Sequence, residues 1–249
     1  MSLWKSLKWI FKKGGFILGL PSAIIEFQRR SRTVKFRSRR GIVALILKDS
    51  TAIKKSYSID FLTDINETEF TKENYDYIRL AFLGKPSKVI IEVINDSVDS
   101  ERSLDDALKA LRENKFNYLA IPFISEEVDK TKIVNWIKTA RREKEIYKAV
   151  LPSVTNANEK AIINFSTTGI KVGEKVYTTA EYTARVAGIL AGISLSESCT
   201  YFVLDEVTEI EPTENPDEAV DEGKLILINN NGIRIARGVN SLIALSKED

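Results

Sequence analysis

The side chains most often used for catalysis are scarce in this sequence. None of its 249 residues is a histidine, and Cys199 is its one cysteine. Those absences remove Ser–His and Cys–His nucleophile pairs, histidine-containing metal sites, structural zinc and any intrachain disulfide. A lone cysteine also suits a reducing compartment. Carboxylate, lysine and phosphate-loop chemistry are left to test by position. Asp105-Asp106 and Glu126-Glu127 fall where helices are expected to begin, and acids there complement the macrodipole. A glycosidase pair would instead need two acids converging in a cleft. Asp96, Asp99 and Glu101 lack the glycine and terminal glutamate of a calcium loop. Gly84-Lys85-Pro86 has no upstream glycine, and the stretch from Gly169 to Lys175 has the wrong spacing for a phosphate loop and lies between strands. The turn at 95–100 holds two acids and no glycine, which repels a phosphate. Cys199 has no base beside it and reads as a small hydrophobe. The expected set of catalytic residues, cofactors and metals is empty.

The elements that would position such groups read as a mixed α/β fold from Gly41 onward. Residues 42–47 form a continuous apolar run, as in a buried strand, and 56–61 a shorter strand. Residues 71–83 place Tyr75, Ile78 and Phe82 at helical spacing before the stop signals Gly84 and Pro86. A strand at 89–94 is followed by a helix that Ser103 caps, carrying Leu104, Ala107, Leu108 and Leu111. Residues 116–123 are a strand interrupted near its end by Pro122. Asp129 caps a helix through Ile133, Trp136 and Ile137, and 147–151 is a strand before Pro152. This β-α-β-α-β series suits parallel crossovers.

A strand at 161–165, a hairpin across 169–177 and a helix from 178 to about 190 follow, the helix opened by a Thr178/Glu181 capping box. Its Gly188 and Gly192 form a GxxxG pair, which outside a membrane points to tight core packing. A strand at 200–204, an acidic loop with Pro212 and Pro216, and a hairpin pairing 224–228 with 232–236 complete the pattern. The expected class is α/β: a layered α/β sandwich core with a partly parallel sheet, β-hairpins and an extended N-terminal arm.

The composition, 43% hydrophobic and 29% charged, excludes collagen-like and disordered chains. The formal net charge of +2 conceals a segregation. Residues 1–40 hold 11 bases against the single acid Glu26, whereas the rest of the chain nets −8 and the stretch 197–222 has ten acids and no base. Such opposed regions suggest self-complementarity between copies; the plainer alternative is a solvated surface with a loose tail.

Residues 1–18 read as a basic amphipathic extension. Leu3, Trp4, Leu7, Ile10 and Phe11 share one side of a helical wheel and Lys5, Lys8 and Lys12 the other, a face suited to an anionic membrane or a partner's groove. Gly14, Gly15, Gly19 and Pro21 break the apolar segment that a secretory signal would need. Residues 19–40 read as an extended arm. Ala23-Ile24-Ile25-Glu26-Phe27 is a short strand on a polar tether, suited to strand addition to another sheet. Nucleic-acid binding is not expected, because stacking aromatics are sparse in this arm and the rest of the chain is acidic.

Several segments together resemble contractile tail sheath proteins of phages, defective prophages and R-type bacteriocins of Gram-positive bacteria. They are Gly19-Leu20-Pro21-Ser22 leading into Ile24 and Phe27, and Arg40-Gly41-Ile42-Val43-Ala44-Leu45-Ile46-Leu47-Lys48-Asp49. Lys115-Phe116-Asn117-Tyr118-Leu119, Lys148-Ala149-Val150-Leu151 and Ile162-Ile163-Asn164-Phe165 match as well. The most specific are the helix from Glu181 to Gly192 and the segment from Ile233 to Leu242. The resemblance implies a structural, non-enzymatic subunit that stacks in six-fold rings into a helical sheath and contacts an inner tube protein, a baseplate and a tail terminator. It implies assembly in the host cytoplasm and incorporation into a phage tail or tail-like particle. Contraction of that sheath would drive the tube through an envelope.

Residues 41–249 would be the sheath core, with the family's usual C-terminal region expected to be missing. The 1–18 extension has no counterpart in the resemblance. The alternative reading is therefore a truncated, sheath-derived module that binds a membrane or partner through those residues.

Overall fold

A computed structural model of the chain describes residues 40–94, 102–194 and 196–244. Its elements, in order, are β1 (Ile42–Lys48), β2 (Ser56–Ile59), α1 (Lys72–Leu83), β3 (Lys88–Ile94), α2 (Leu104–Leu111), β4 (Tyr118–Ala120), α3 (Glu127–Arg142) and β5 (Lys148–Pro152). Then follow β6 (Ile162–Phe165), β7 (Ile170–Val172), β8 (Lys175–Tyr177), α4 (Thr179–Gly192), α5 (Pro216–Asp221), β9 (Lys224–Leu225), β10 (Leu227–Asn229) and β11 (Ile233–Ile235). Seven strands form one sheet in the order β2-β3-β1-β4-β5-β6-β9. All its neighbours pair in parallel except β2, which runs antiparallel to β3. The expected α/β class with a partly parallel sheet is the observed one.

The unbroken apolar run of β1 follows from burial on both sides, because alternate side chains leave a strand on opposite faces. Val43, Leu45 and Leu47 pack on one face with Ile78 and Leu80 of α1 and Tyr182, Val186 and Ile189 of α4. Ala44 and Ile46 pack on the other with Leu108 and Leu111 of α2 and Ile133 and Ile137 of α3. Helices thus cover both faces of the sheet.

Helix α1 meets α4 at glycine. A Cβ on Gly188 would lie 2.2 Å from the Ala81 carbonyl oxygen, and one on Gly192 would lie 1.6 Å from that of Gly84. The GxxxG spacing therefore serves close helix packing within the core. The capping box is formed as expected, with Thr178 Oγ1 accepting from the Glu181 N–H and the Glu181 carboxylate from the Thr178 N–H.

Several boundaries differ from expectation. β4 is confined to Tyr118–Ala120, because Phe116 is taken into an aromatic stack with Tyr147 and Trp136 and Pro122 has no N–H for a ladder. Helix α3 begins after Glu126, three residues before Asp129. No strand forms at 200–204. Tyr201 takes a positive φ of 60°, which breaks the extended course and leaves an isolated Val203–Arg234 bridge beside β11. The acidic loop contains the short helix α5, with Pro216 at its first turn, where a missing N–H costs nothing. The expected 224–236 hairpin divides at Ile226: β9 joins β6 in the main sheet, and β10 alone pairs with β11.

Candidate functional site

The strand Ala23-Ile24-Ile25-Glu26-Phe27 and the face formed by Leu3, Trp4, Leu7, Ile10 and Phe11 lie outside the described residues, as do Asp96, Asp99 and Glu101. The candidates within the described residues take structural places. Asp106 closes a capping box with Ser103 at the start of α2, its carboxylate accepting from the Ser103 N–H at 2.9 Å. Asp105 meets Lys132 at 2.7 Å, and Glu127 meets Lys130 at 2.8 Å. Gly84 ends α1, and Gly169 and Gly173 turn into and within the β7–β8 hairpin at positive φ. Cys199 is half-buried, and burial pushes its thiol pKa up, away from the thiolate a nucleophile needs. Among the described residues no group of three or more cysteines or carboxylates is placed to hold a metal.

The place where an open α/β sheet most readily binds ligands is the crevice at the carboxyl ends of strands where the order reverses. Here that place lies beside β1, and it carries Asp49, 1% exposed. Its carboxylate accepts hydrogen bonds from the N–H groups of Thr51 (2.7 Å), Ala52 (2.9 Å) and Thr71 (2.8 Å), and from Asn74 Nδ2 (2.8 Å). Burial alone would raise its pKa. The donors, Thr71 and Asn74 foremost, outweigh that and hold the carboxyl below its ordinary value. A carboxylate so fully engaged fastens the end of β1 to the start of α1 and has little capacity left for acid–base work.

Two further buried charges brace the molecule. Glu92 in β3 pairs with Arg102 and accepts from Ser56 Oγ of β2 at 2.6 Å, while Arg102 also donates to the Val93 carbonyl at 2.9 Å. On α4, Arg185 pairs with Glu206, which also accepts from the Tyr182 hydroxyl at 2.9 Å. Burial would raise the Glu206 pKa, and these two partners bring it below the ordinary range. Sequence reasoning assigned none of these residues a buried partner. The signal was a charged residue inside an otherwise apolar element, Glu92 within Val89-Ile90-Ile91-Glu92-Val93-Ile94 and Arg185 among the small residues of α4.

The acidic stretch forms the most distinctive surface. A groove of about 400 Å³ lies between residues 208–216 and β10, walled in part by Ile210, Pro212, Pro216, Leu227 and Ile228. Glu209 lines it and meets Lys171 at 3.8 Å, and Glu211 accepts from Thr168 Oγ1 at 2.6 Å. Glu214, Asp217, Glu218 and Asp221 follow directly on, exposed, and none of their side chains has a hydrogen-bond or ion-pair partner among the described residues. Elsewhere, no described strand pairs with the outer edge of β2. No described helix is long and apolar enough to cross a membrane.

Comparison with known proteins adds the context for this surface. The family described as the phage tail sheath protein central domain matches residues 98–241. A tail sheath protein of Clostridium phage phiCD119 is 39% identical over 242 residues, an alignment covering 92% of this chain and 65% of that protein. The chain thus spans somewhat under two thirds of that relative's length. A sheath tail protein from Listeria innocua shares the fold at a TM-score of 0.71 and 17% identity, over 86% of this chain and 74% of that one. The contracted helical sheath of the anti-feeding prophage matches at a TM-score of 0.56 and 13% identity, over 80% of this chain and 61% of that one.

Proposed function

Because the chain belongs to the phage tail sheath family, we propose that it is a structural subunit that self-assembles into six-fold rings or a helical tube around an inner tube. Contraction of that assembly drives envelope penetration. The observation that carries the reading is the 39% identity to a tail sheath protein across nearly the whole chain. The disposition of the polar groups supports it, since the buried charges Asp49, Glu92 and Arg185 are all bound to neighbouring elements of the same chain. A metastable assembly that stores mechanical work needs rigid subunits joined by exchangeable contacts.

In this reading residues 41–249 are the core, 19–40 the arm, with Ala23, Ile24, Ile25, Glu26 and Phe27 the strand lent to a neighbour, and 1–18 a separate extension. The partners are further copies, the tube protein, a baseplate and a terminator, assembled in the host cytoplasm, and no catalysis is involved. Electron microscopy of the purified chain mixed with its tube protein is expected to show rings or tubes. Deleting residues 19–30 is expected to abolish co-assembly, and unchanged co-assembly would refute the role of the arm.

A second reading rests on the segregated face of Leu3, Trp4, Leu7, Ile10 and Phe11 opposite Lys5, Lys8 and Lys12. It makes residues 1–18 a membrane or partner anchor. Co-sedimentation with anionic vesicles should then fall sharply when residues 1–13 are removed, and equal recovery would discard it.

A further inference from the structure

We propose that the apolar groove between residues 208–216 and β10 seats the basic segment 29–39 of a second copy, with Val34 and Phe36 on its floor and the arginines along its acidic rim. The proposal rests on the reading of this chain as a self-assembling subunit and adds which surfaces meet. Groove and segment are complementary in two respects. The groove has Ile210, Pro212, Pro216, Leu227 and Ile228 in its walls. In an extended segment Val34 and Phe36 point the same way, the spacing needed to fill such a floor. Glu209 lines the groove, Glu214 and Asp217 adjoin its lining residues Thr213 and Pro216 in sequence, and Glu218 and Asp221 follow on α5; these last four are exposed and have no side-chain partner among the described residues. Residues 29–39 carry Arg29, Arg30, Arg32, Lys35, Arg37 and Arg39 and no acid. Opposed charge steers and orients such an encounter, and burial of the two apolar side chains holds it.

Chain length argues against the segment reaching the groove of its own copy. Through the strand register, Leu225 stands level with Leu47 and four strands across from β1. At about 3.3 Å per residue and about 4.8 Å per strand, Ile42 and Leu225 are roughly 25 Å apart. Leu227 of the groove lies two residues further on. Phe36 precedes Ile42 by six residues, a reach of at most about 22 Å when fully extended.

A mixing experiment on the full chain tests the assignment. In a Cys199→Ser background, one preparation carries Phe36→Cys and the other Ile228→Cys. Mild oxidation of the mixture is expected to give a covalent dimer containing one copy of each. Adding Glu214→Lys, Asp217→Lys and Glu218→Lys to the groove variant should reduce its yield at least tenfold. Arg29→Glu, Arg30→Glu and Arg32→Glu on the other chain should restore the yield, a rescue that misfolding cannot produce.

No mixed dimer from variants that keep the parent's melting temperature would overturn the proposal. Intramolecular cross-linking in a chain carrying both cysteines, unchanged by dilution, would also overturn it. So would capture of Ile25→Cys in preference to Phe36→Cys, which would give the groove to the strand instead. Failure here with intact co-assembly on the tube would refute this contact alone. Loss of co-assembly by the parent chain would refute the sheath reading.

Discussion

Asp49 shows how one buried carboxylate can organise a junction without doing chemistry. It collects donors from its own loop and from the first turn of α1, and removing it leaves several N–H groups buried without an acceptor. Each such group costs about 1–3 kcal/mol. The loop can relax toward water, so Asp49→Ala is expected to destabilise by about 3 kcal/mol in total. That lowers the melting temperature by about 6–12 °C in a domain of this size. The pH dependence has a definite sign. The folded pKa lies below the ordinary carboxylate value of 3.8, so the stabilisation is fully present above that value and is lost as pH falls through the folded pKa. Acid titration followed by circular dichroism should therefore show less loss of stability below pH 4 in the variant than in the parent.

Glu92 and Arg102 pose a different question, because a buried pair is poor evidence of net stabilisation. Truncating either partner alone is expected to cost about 3–5 kcal/mol, and replacing both with apolar residues of similar volume to cost far less. Urea melts of the two single variants and the double variant would measure that coupling.

At the scale of elements, the close approach of α1 and α4 makes a prediction against helix propensity. Gly188→Ala should gain about 1 kcal/mol from propensity. The new methyl group, however, would stand 2.2 Å from the Ala81 carbonyl oxygen, with backbone on both sides of the contact. Neither helix can yield by turning a side chain, and overpacking of this kind costs about 1–3 kcal/mol or more. A net fall in melting temperature of several degrees is expected, larger for Gly192→Ala, where the approach is closer. A rise would show that the helices separate at little cost.

This same element was legible in the sequence for local reasons. The Thr178/Glu181 box and the small-residue face depend on spacings of three and four residues, which the helical repeat fixes. The continuous apolar run of β1, buried on both faces, and the parallel crossovers were legible from local pattern as well. The break at Tyr201 and the division of the last hairpin at Ile226 were not, because each is decided by a distant strand, β11 in one case and β6 in the other. The charge anchors were hidden for the same reason. The partners of Asp49 at the cap and first turn of α1, Thr71 and Asn74, lie 22 and 25 residues away in sequence, and nothing local to Lys48-Asp49-Ser50 announces them. The groove was legible only as a run of acids. Its apolar floor comes from bringing β10 against residues 208–216, a contact no spacing rule supplies.

For the whole molecule, the distribution of charge matters more than its sum. A net charge of +2 leaves little mutual repulsion between copies, while the strongly basic residues 1–40 and the acidic remainder would attract across them. Two forces could then hold copies together, and they respond to salt in opposite ways. Attraction between exposed charges is screened over about 10 Å at 0.1 M salt and about 3 Å at 1 M. Burial of apolar side chains and strand pairing persists, and salting-out ions strengthen it. If charge complementarity steers and orients the encounter, sedimentation velocity of the full chain should show association that weakens several-fold between about 50 mM and 500 mM sodium chloride. The loss should appear mainly in the association rate, since steering acts on encounter before contacts close. Sulfate at the same ionic strength should recover part of the association if Val34 and Phe36 are buried in it. Association that is indifferent to salt from the outset would mean that backbone pairing alone joins the subunits and that the separated charges serve only solubility.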